Sequence, residues 1–171
     1  MKVVLVGYMA SGKSSIGRLL ARDLNLEFID LDEFIENQLQ KTIPAIFSEK
    51  GEIYFRKIEH EMLSMVLNEK QSVVLSTGGG TPCYGGNMKT ILEQSNHSLY
   101  LQLPVSTLVD RISNEKNDRP LVKNIDNGDL LEFVGKHLFE RRQFYAQAKH
   151  IVDADKKSIE VLVDEIKKIL L

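Results

Sequence analysis

Residues 7–14 read Gly7-Tyr8-Met9-Ala10-Ser11-Gly12-Lys13-Ser14. The spacing is G-x-x-x-x-G-K-[ST], placed between the apolar run Val3, Val4, Leu5, Val6 and an amphipathic segment. A buried strand before such a loop and a helix after it make an anion cradle. The loop's backbone N–H groups and the positive end of the helix point at polyphosphate. Gly7 and Gly12 permit the tight backbone path, Lys13 reaches the β- and γ-phosphates, and Ser14 ligates Mg²⁺. The pattern predicts ATP or GTP, with Gly7, Ala10, Ser11, Gly12, Lys13, Ser14 and Ser15 around the phosphates.

Working outward from the loop, short apolar runs alternate with segments of helical period. Strands are expected at 2–6, 27–29, 72–76, 98–103 and 151–152. Helices are expected at 14–24, 32–40, 52–67, 87–94, 105–114, 127–147 and 158–170. In the first of these, Ile16, Leu19, Leu20 and Leu24 share a face; in 52–67 the face is Ile58, Met62, Leu63 and Val66. Thr42-Ile43-Pro44 reads as a helix start, with threonine capping and proline in the first turn, and Gly51 as punctuation. Strands of about five residues separated by helices imply a parallel sheet covered on both faces. The fold class is therefore α/β, three layers α/β/α around a five-stranded parallel sheet.

Composition narrows the function classes. The chain has 171 residues, 43% apolar and 27% charged, enough for one domain with a sizeable core. A net charge of −2 gives no argument for nucleic acid or an anionic membrane as partner. No apolar stretch approaches the roughly 18 residues that span a bilayer. The first residues enter a core strand directly, so no signal peptide is expected. A single cysteine, Cys83, cannot form an internal disulfide and fits a reducing cytoplasm. The helix faces are accounted for by the core, so a monomer is expected.

Two further clusters carry chemistry. Asp30 and Asp32 stand at the end of the second strand, the edge where open parallel sheets bind ligands. One carboxylate there supports Mg²⁺ and the other receives a hydroxyl hydrogen bond; a helix cap is the plain alternative for Asp32. The third strand ends in Ser76 and Thr77, with no acidic residue to help hold a metal, which leaves Asp30 for that task. Gly78, Gly79 and Gly80 follow, and three glycines in a row lose much conformational entropy on folding. Close approach of their backbone N–H groups to a ligand would offset it.

The landmarks resemble those of the shikimate kinases, in order and spacing, over nearly the whole chain. They are GYMASGKSSIG at 7–17, FIDLDEFIE at 28–36, IFSEKGEIYFRKIE at 46–59, STGGG at 76–80, DRPL at 118–121 and ERRQFY at 140–145. The resemblance implies a P-loop, nucleoside-monophosphate-kinase-like enzyme that moves the ATP γ-phosphate to the 3-hydroxyl of shikimate, in aromatic amino-acid biosynthesis. It implies one kinase domain, with a core at 1–31, 61–111 and 125–171, an acceptor-binding segment near 32–60 and a lid near 112–124. It places Ser14 and Asp30 at Mg²⁺ and Asp32 on the acceptor hydroxyls. Arg56 and Arg141 become a clamp on the acceptor carboxylate, since a planar guanidinium pairs with a carboxylate through two parallel bonds. Gly78, Gly79 and Gly80 line the acceptor, Arg119 closes over ATP as part of the lid, and Arg111 lies against the adenine. Lys13, Asp32 and Arg119 would carry the catalysis.

Each assignment has a plainer rival. Arg56 reads equally as a solvated helix residue, and Lys57 and Glu59 beside it read as surface. Arg111 has Glu115 one turn away as an ion-pair partner. Arg141 and Arg142 are adjacent; the family position, four before the tyrosine, selects Arg141. His60, His97, His137 and His150 lack metal-ligand spacing and read as structural or solvated. The chain departs from the family pattern at TPCYGGN, 81–87, and at Gln143 and Phe144, where proline and leucine are common; neither change is expected to touch a proposed contact, and the first would reshape the pocket rim. The rival functions are another small-molecule kinase of this architecture, such as a gluconate kinase, and a nucleotide-binding regulator without transfer activity.

Overall fold

The computed structural model describes residues 1–115 and 119–171. Asp118 of the DRPL landmark and the middle of the expected lid lie outside the described residues. Five strands form one parallel sheet: β1 (Lys2–Val6), β2 (Phe28–Asp30), β3 (Val73–Ser76), β4 (His97–Gln102) and β5 (His150–Asp153), in the order β2-β3-β1-β4-β5. Val4 of the central strand pairs with Leu75 on one side and Ser98 on the other. Val3 to Val6 are fully buried, as an all-apolar central strand covered on both faces must be.

The helices are α1 (Lys13–Leu24), α2 (Leu31–Leu39), α3 (Ile43–Glu69), α4 (Asn87–Gln94), α5 (Val105–Glu115), α6 (Asn127–Tyr145) and α7 (Ile159–Leu170). They cover both faces of the sheet and complete the three α/β/α layers. The Thr42 hydroxyl accepts the Ala45 N–H at 3.3 Å and caps α3, and Ser158 caps α7 in the same way. Gly51, with φ 84° and ψ 173°, breaks the helical path of α3 where the sequence placed punctuation.

Two faces differ from expectation. In α1 the buried stripe is Ile16, Gly17, Leu20 and Ala21, while Leu19 and Leu24 are only half-buried. In α3 beyond Gly51 the buried residues are Phe55, Glu59, Leu63, Val66 and Leu67, so the inward face is rotated away from Ile58 and Met62, which are half-buried. Glu59, read as surface, is 1% exposed. The sheet's carboxyl edge collects the ends of β1, β2 and β3 together with α1, and this is where the chemically distinctive residues meet.

Candidate active site

The loop after β1 has the backbone its glycines predict. Gly7 has φ 148° and Gly12, the residue preceding α1, has φ 92°. Ala10 also lies in the left-handed region at φ 62°. No side chain caps α1, so its first N–H groups stay available to an anion. The Lys13 ammonium folds back on the loop, donating to the Gly7 carbonyl at 2.8 Å and the Tyr8 carbonyl at 2.9 Å. Burial lowers its pKa to about 8, against the opposing pull of Asp32 and Asp30.

The two acidic residues divide their tasks. Asp30, not Asp32, caps α2: its Oδ1 accepts the N–H groups of Asp32 at 3.0 Å and Glu33 at 3.3 Å. Its Oδ2 accepts the Ser14 hydroxyl at 2.5 Å. Strand geometry stops at Asp30, so Asp32 stands in the first turn of α2 rather than on the strand. Both nevertheless line one cavity of about 510 Å³ with Ser14, Thr77 and Arg111. Burial raises Asp32 to about 6, helped by the charges of Asp30 and Glu59 and opposed by Lys13. Where an acidic residue would end β3, Ser76 stands instead, its hydroxyl 3.4 Å from that of Ser14. Among the described residues no three His, Cys, Asp or Glu side chains are grouped to hold a metal. Ser14 and Asp30 offer only hard oxygen donors, which suits a Mg²⁺ that takes most of its ligands from phosphates and water.

The three glycines are explained by what lies against them. A Cβ on Gly78 would meet Asp32 Oδ1 at 2.9 Å, and one on Gly79 would meet an Arg141 terminal nitrogen at 3.4 Å. On Gly80 it would meet both terminal nitrogens of Arg56 at 2.9 Å. The segment thus brings together Asp32, Arg141 and Arg56, from three different helices, by giving each side chain the room of a missing methyl. None of Gly78, Gly79 and Gly80 has positive φ, so space and not backbone conformation is what they supply.

Arg56 is held, not solvated. It donates to Glu59 at 2.8 Å, and the other Glu59 oxygen accepts the Thr81 hydroxyl at 2.8 Å. Burial of Glu59 follows from these two partners, which sequence periodicity does not reveal. Arg141 faces the glycines while Arg142 is exposed. One turn beyond, the Tyr145 hydroxyl donates to the Gly79 carbonyl at 2.5 Å and ties α6 to the same segment. Tyr8 of the loop bonds His137 of α6 at 2.8 Å, and burial, with Arg141 nearby, lowers His137 to about 4. It is a neutral structural partner. Arg111 donates to the Ala10 carbonyl at 3.1 Å rather than pairing with Glu115, which instead accepts from Arg119 at 3.1 Å.

Three wall residues of the cavity, Lys157, Ile159 and Leu162, escaped the sequence reading. Ile159 and Leu162 come from the start of α7 and Lys157 from just before its cap, and nothing local in the sequence marks them. Cys83 sits close to Arg141 and Arg56, yet burial pushes its thiol up to about 11, too high for a thiolate nucleophile.

A phosphate loop on a five-stranded parallel sheet, with an acidic pair and two half-buried arginines at one edge, defines a P-loop NTPase of the small-molecule kinase architecture. The shikimate kinase family model matches residues 9–171, and the chain belongs to that family. The shikimate kinase of Flavobacterium psychrophilum is 52% identical over 99% of this chain and 98% of its own length. That of Flavobacterium johnsoniae is 41% identical over the same shares. The crystal structure of Bacteroides thetaiotaomicron shikimate kinase superposes with a TM-score of 0.93 at 36% identity, covering 99% of this chain and 98% of that one. Acinetobacter baumannii shikimate kinase in complex with shikimate gives 0.87 at 31%, covering 99% and 92%. The deoxyadenosine kinase of M. mycoides, at 16% identity and a TM-score of 0.63, shares the fold alone.

Proposed function

We propose that the protein transfers the γ-phosphoryl group of ATP to the 3-hydroxyl of shikimate, giving shikimate 3-phosphate and ADP for aromatic amino-acid synthesis. The observation that carries this reading is the glycine segment, against which Asp32, Arg56 and Arg141 all press beside the phosphate loop. One carboxylate for a hydroxyl and two guanidinium groups for an acid match a small hydroxy acid.

Phosphoryl transfer of this kind asks mainly for positioning and charge neutralisation. Lys13 exchanges the loop carbonyls for phosphate oxygens. Asp32 orients the attacking hydroxyl, and a pKa of about 6 leaves it ionised at neutral pH, able to take the proton late in the transfer. Ser14 and Asp30 would hold Mg²⁺, which neutralises phosphate charge when bound. Arg119 adds charge at the transferring group, Arg111 lies along the base, and Arg56 and Arg141 grip the carboxylate. We assign the acceptor side to 32–60 and the lid to 112–124, whose closure keeps water from the γ-phosphate. We further assign ATP over GTP, on the family resemblance alone, and a cytoplasmic monomer, on the lone cysteine and on helix faces turned to the core.

A coupled assay of ADP release, run with and without shikimate, tests the reading. Release that depends on shikimate supports it. Release that ignores shikimate or follows gluconate overturns it, and no release with any acceptor favours a regulator.

A further inference from the structure

Tyr84 belongs to 81–87, the stretch where the chain departs from the family pattern, and its ring lies over the guanidinium of Arg56, 3.9 Å from Cζ to ring centroid. The placement is built. A short 3₁₀ turn, Thr81–Cys83, leads to it, and the Cys83 N–H donates to the Gly80 carbonyl at 2.9 Å. Thr81 is tied to Glu59 through its hydroxyl, and its carbonyl accepts the Asn87 side chain at 2.9 Å. The carbonyl of Tyr84 itself accepts the Asn87 N–H at 2.9 Å. At 38% exposure the ring does not serve the core; its partner is the arginine.

Arg56 is thereby bounded on several sides. Glu59 takes one terminal nitrogen, the backbone of Gly80 lies alongside the fork, and Phe55 sits 5.2 Å away. The Arg56 Nε is buried without a hydrogen bond, with only Glu52 at 3.6 Å. A ring over the flat face restrains the guanidinium plane without consuming its in-plane N–H groups, the ones a carboxylate needs.

We propose that Tyr84 is a positioning residue for acid recognition, its ring fixing the plane in which Arg56 presents its N–H groups to the acceptor's carboxylate. This rests on the reading of Arg56 as a carboxylate clamp. Restraint before binding lowers the ordering cost of the complex and leaves phosphoryl transfer itself untouched.

Steady-state kinetics with ATP and shikimate on the full chain decide it. Tyr84→Ala raises KM for shikimate roughly three- to tenfold, with kcat and KM for ATP within about twofold of the parent. Tyr84→Phe keeps the parental value, and Tyr84→Leu, which fills space without a π face, does not. In an Arg56→Ala background, Tyr84→Ala adds no further loss. An unchanged KM in Tyr84→Ala, a leucine variant equal to phenylalanine, or the same loss in both backgrounds overturns the proposal. If Arg56→Ala itself leaves KM for shikimate unchanged, the clamp falls and this role with it. If Arg56→Ala raises KM and Tyr84→Ala is silent, only the present inference falls.

Discussion

The carboxylate of Asp32 lies so near the backbone of Gly78 that a Cβ there would meet Oδ1 at 2.9 Å, and the same methyl would meet the Thr81 hydroxyl at 3.0 Å. Gly80 stands in the same relation to Arg56. Gly78→Ala should therefore displace Asp32, the group proposed to orient the hydroxyl, and lower kcat at least about tenfold. Gly80→Ala pushes the end of a flexible arginine and acts mainly on KM for shikimate. Kinetics of the two alanine variants side by side check this, and identical profiles would contradict it.

Arg141→Ala should raise KM for shikimate by about a hundredfold while KM for ATP moves no more than a few fold, because a charge-assisted pair is lost on the acceptor side only. Equal changes in both constants count against the clamp.

If Asp32 orients the hydroxyl as proposed, it should give the enzyme its acid limb. With a folded pKa of about 6, kcat/KM falls as pH drops through 6 in the free enzyme. The same shift bears on stability. An unfolded carboxylate titrates near 4, so the contribution of Asp32 is fully present below that and is lost as pH rises through 6. Asp32→Asn should thus abolish most activity yet raise Tm at pH 7.5, with a smaller rise at pH 4.5. Thermal melts at both pH values measure it.

Lys13 sets the alkaline side. Its pKa of about 8 means that the free loop offers less positive charge to phosphate as pH passes that point. ATP affinity, measured by calorimetry from pH 7 to 9.5, should decline through 8, whereas Lys13→Met binds weakly with no such inflection.

Gly17 gives a purely structural test. A Cβ there would lie 2.5 Å from Phe28 Cε2 and 3.2 Å from Leu5 Cδ1, between α1 and the sheet. Gly17→Ala should cost about 1–3 kcal/mol by overpacking, and Phe28→Leu should recover part of it. Denaturant unfolding of the single and double variants reads this directly.

Much of this architecture is legible in the residues alone. The loop, the apolar strand before it and the punctuation at Thr42 and Gly51 are local signals, and the elements start and stop within a few positions of them. Glu59 is the instructive miss. A glutamate beside a lysine in a helix reads as solvated, and only Arg56 and Thr81, brought together by the tertiary fold, make its burial tolerable. The capping role fell to Asp30 because α2 starts directly after it, at Leu31, which puts Asp32 inside the first turn of the helix. The glycines were read as bringing backbone N–H groups close to a ligand, and the structure shows that they also make room for the protein's own side chains.

The residues crowded around that glycine segment span positions 32 to 141, on α2, α3 and α6. A single cut anywhere in that interval leaves no fragment holding all three side chains, so separation of the pieces should extinguish recognition. Retention of the small acid by a partly digested sample consequently gauges how many molecules remain whole.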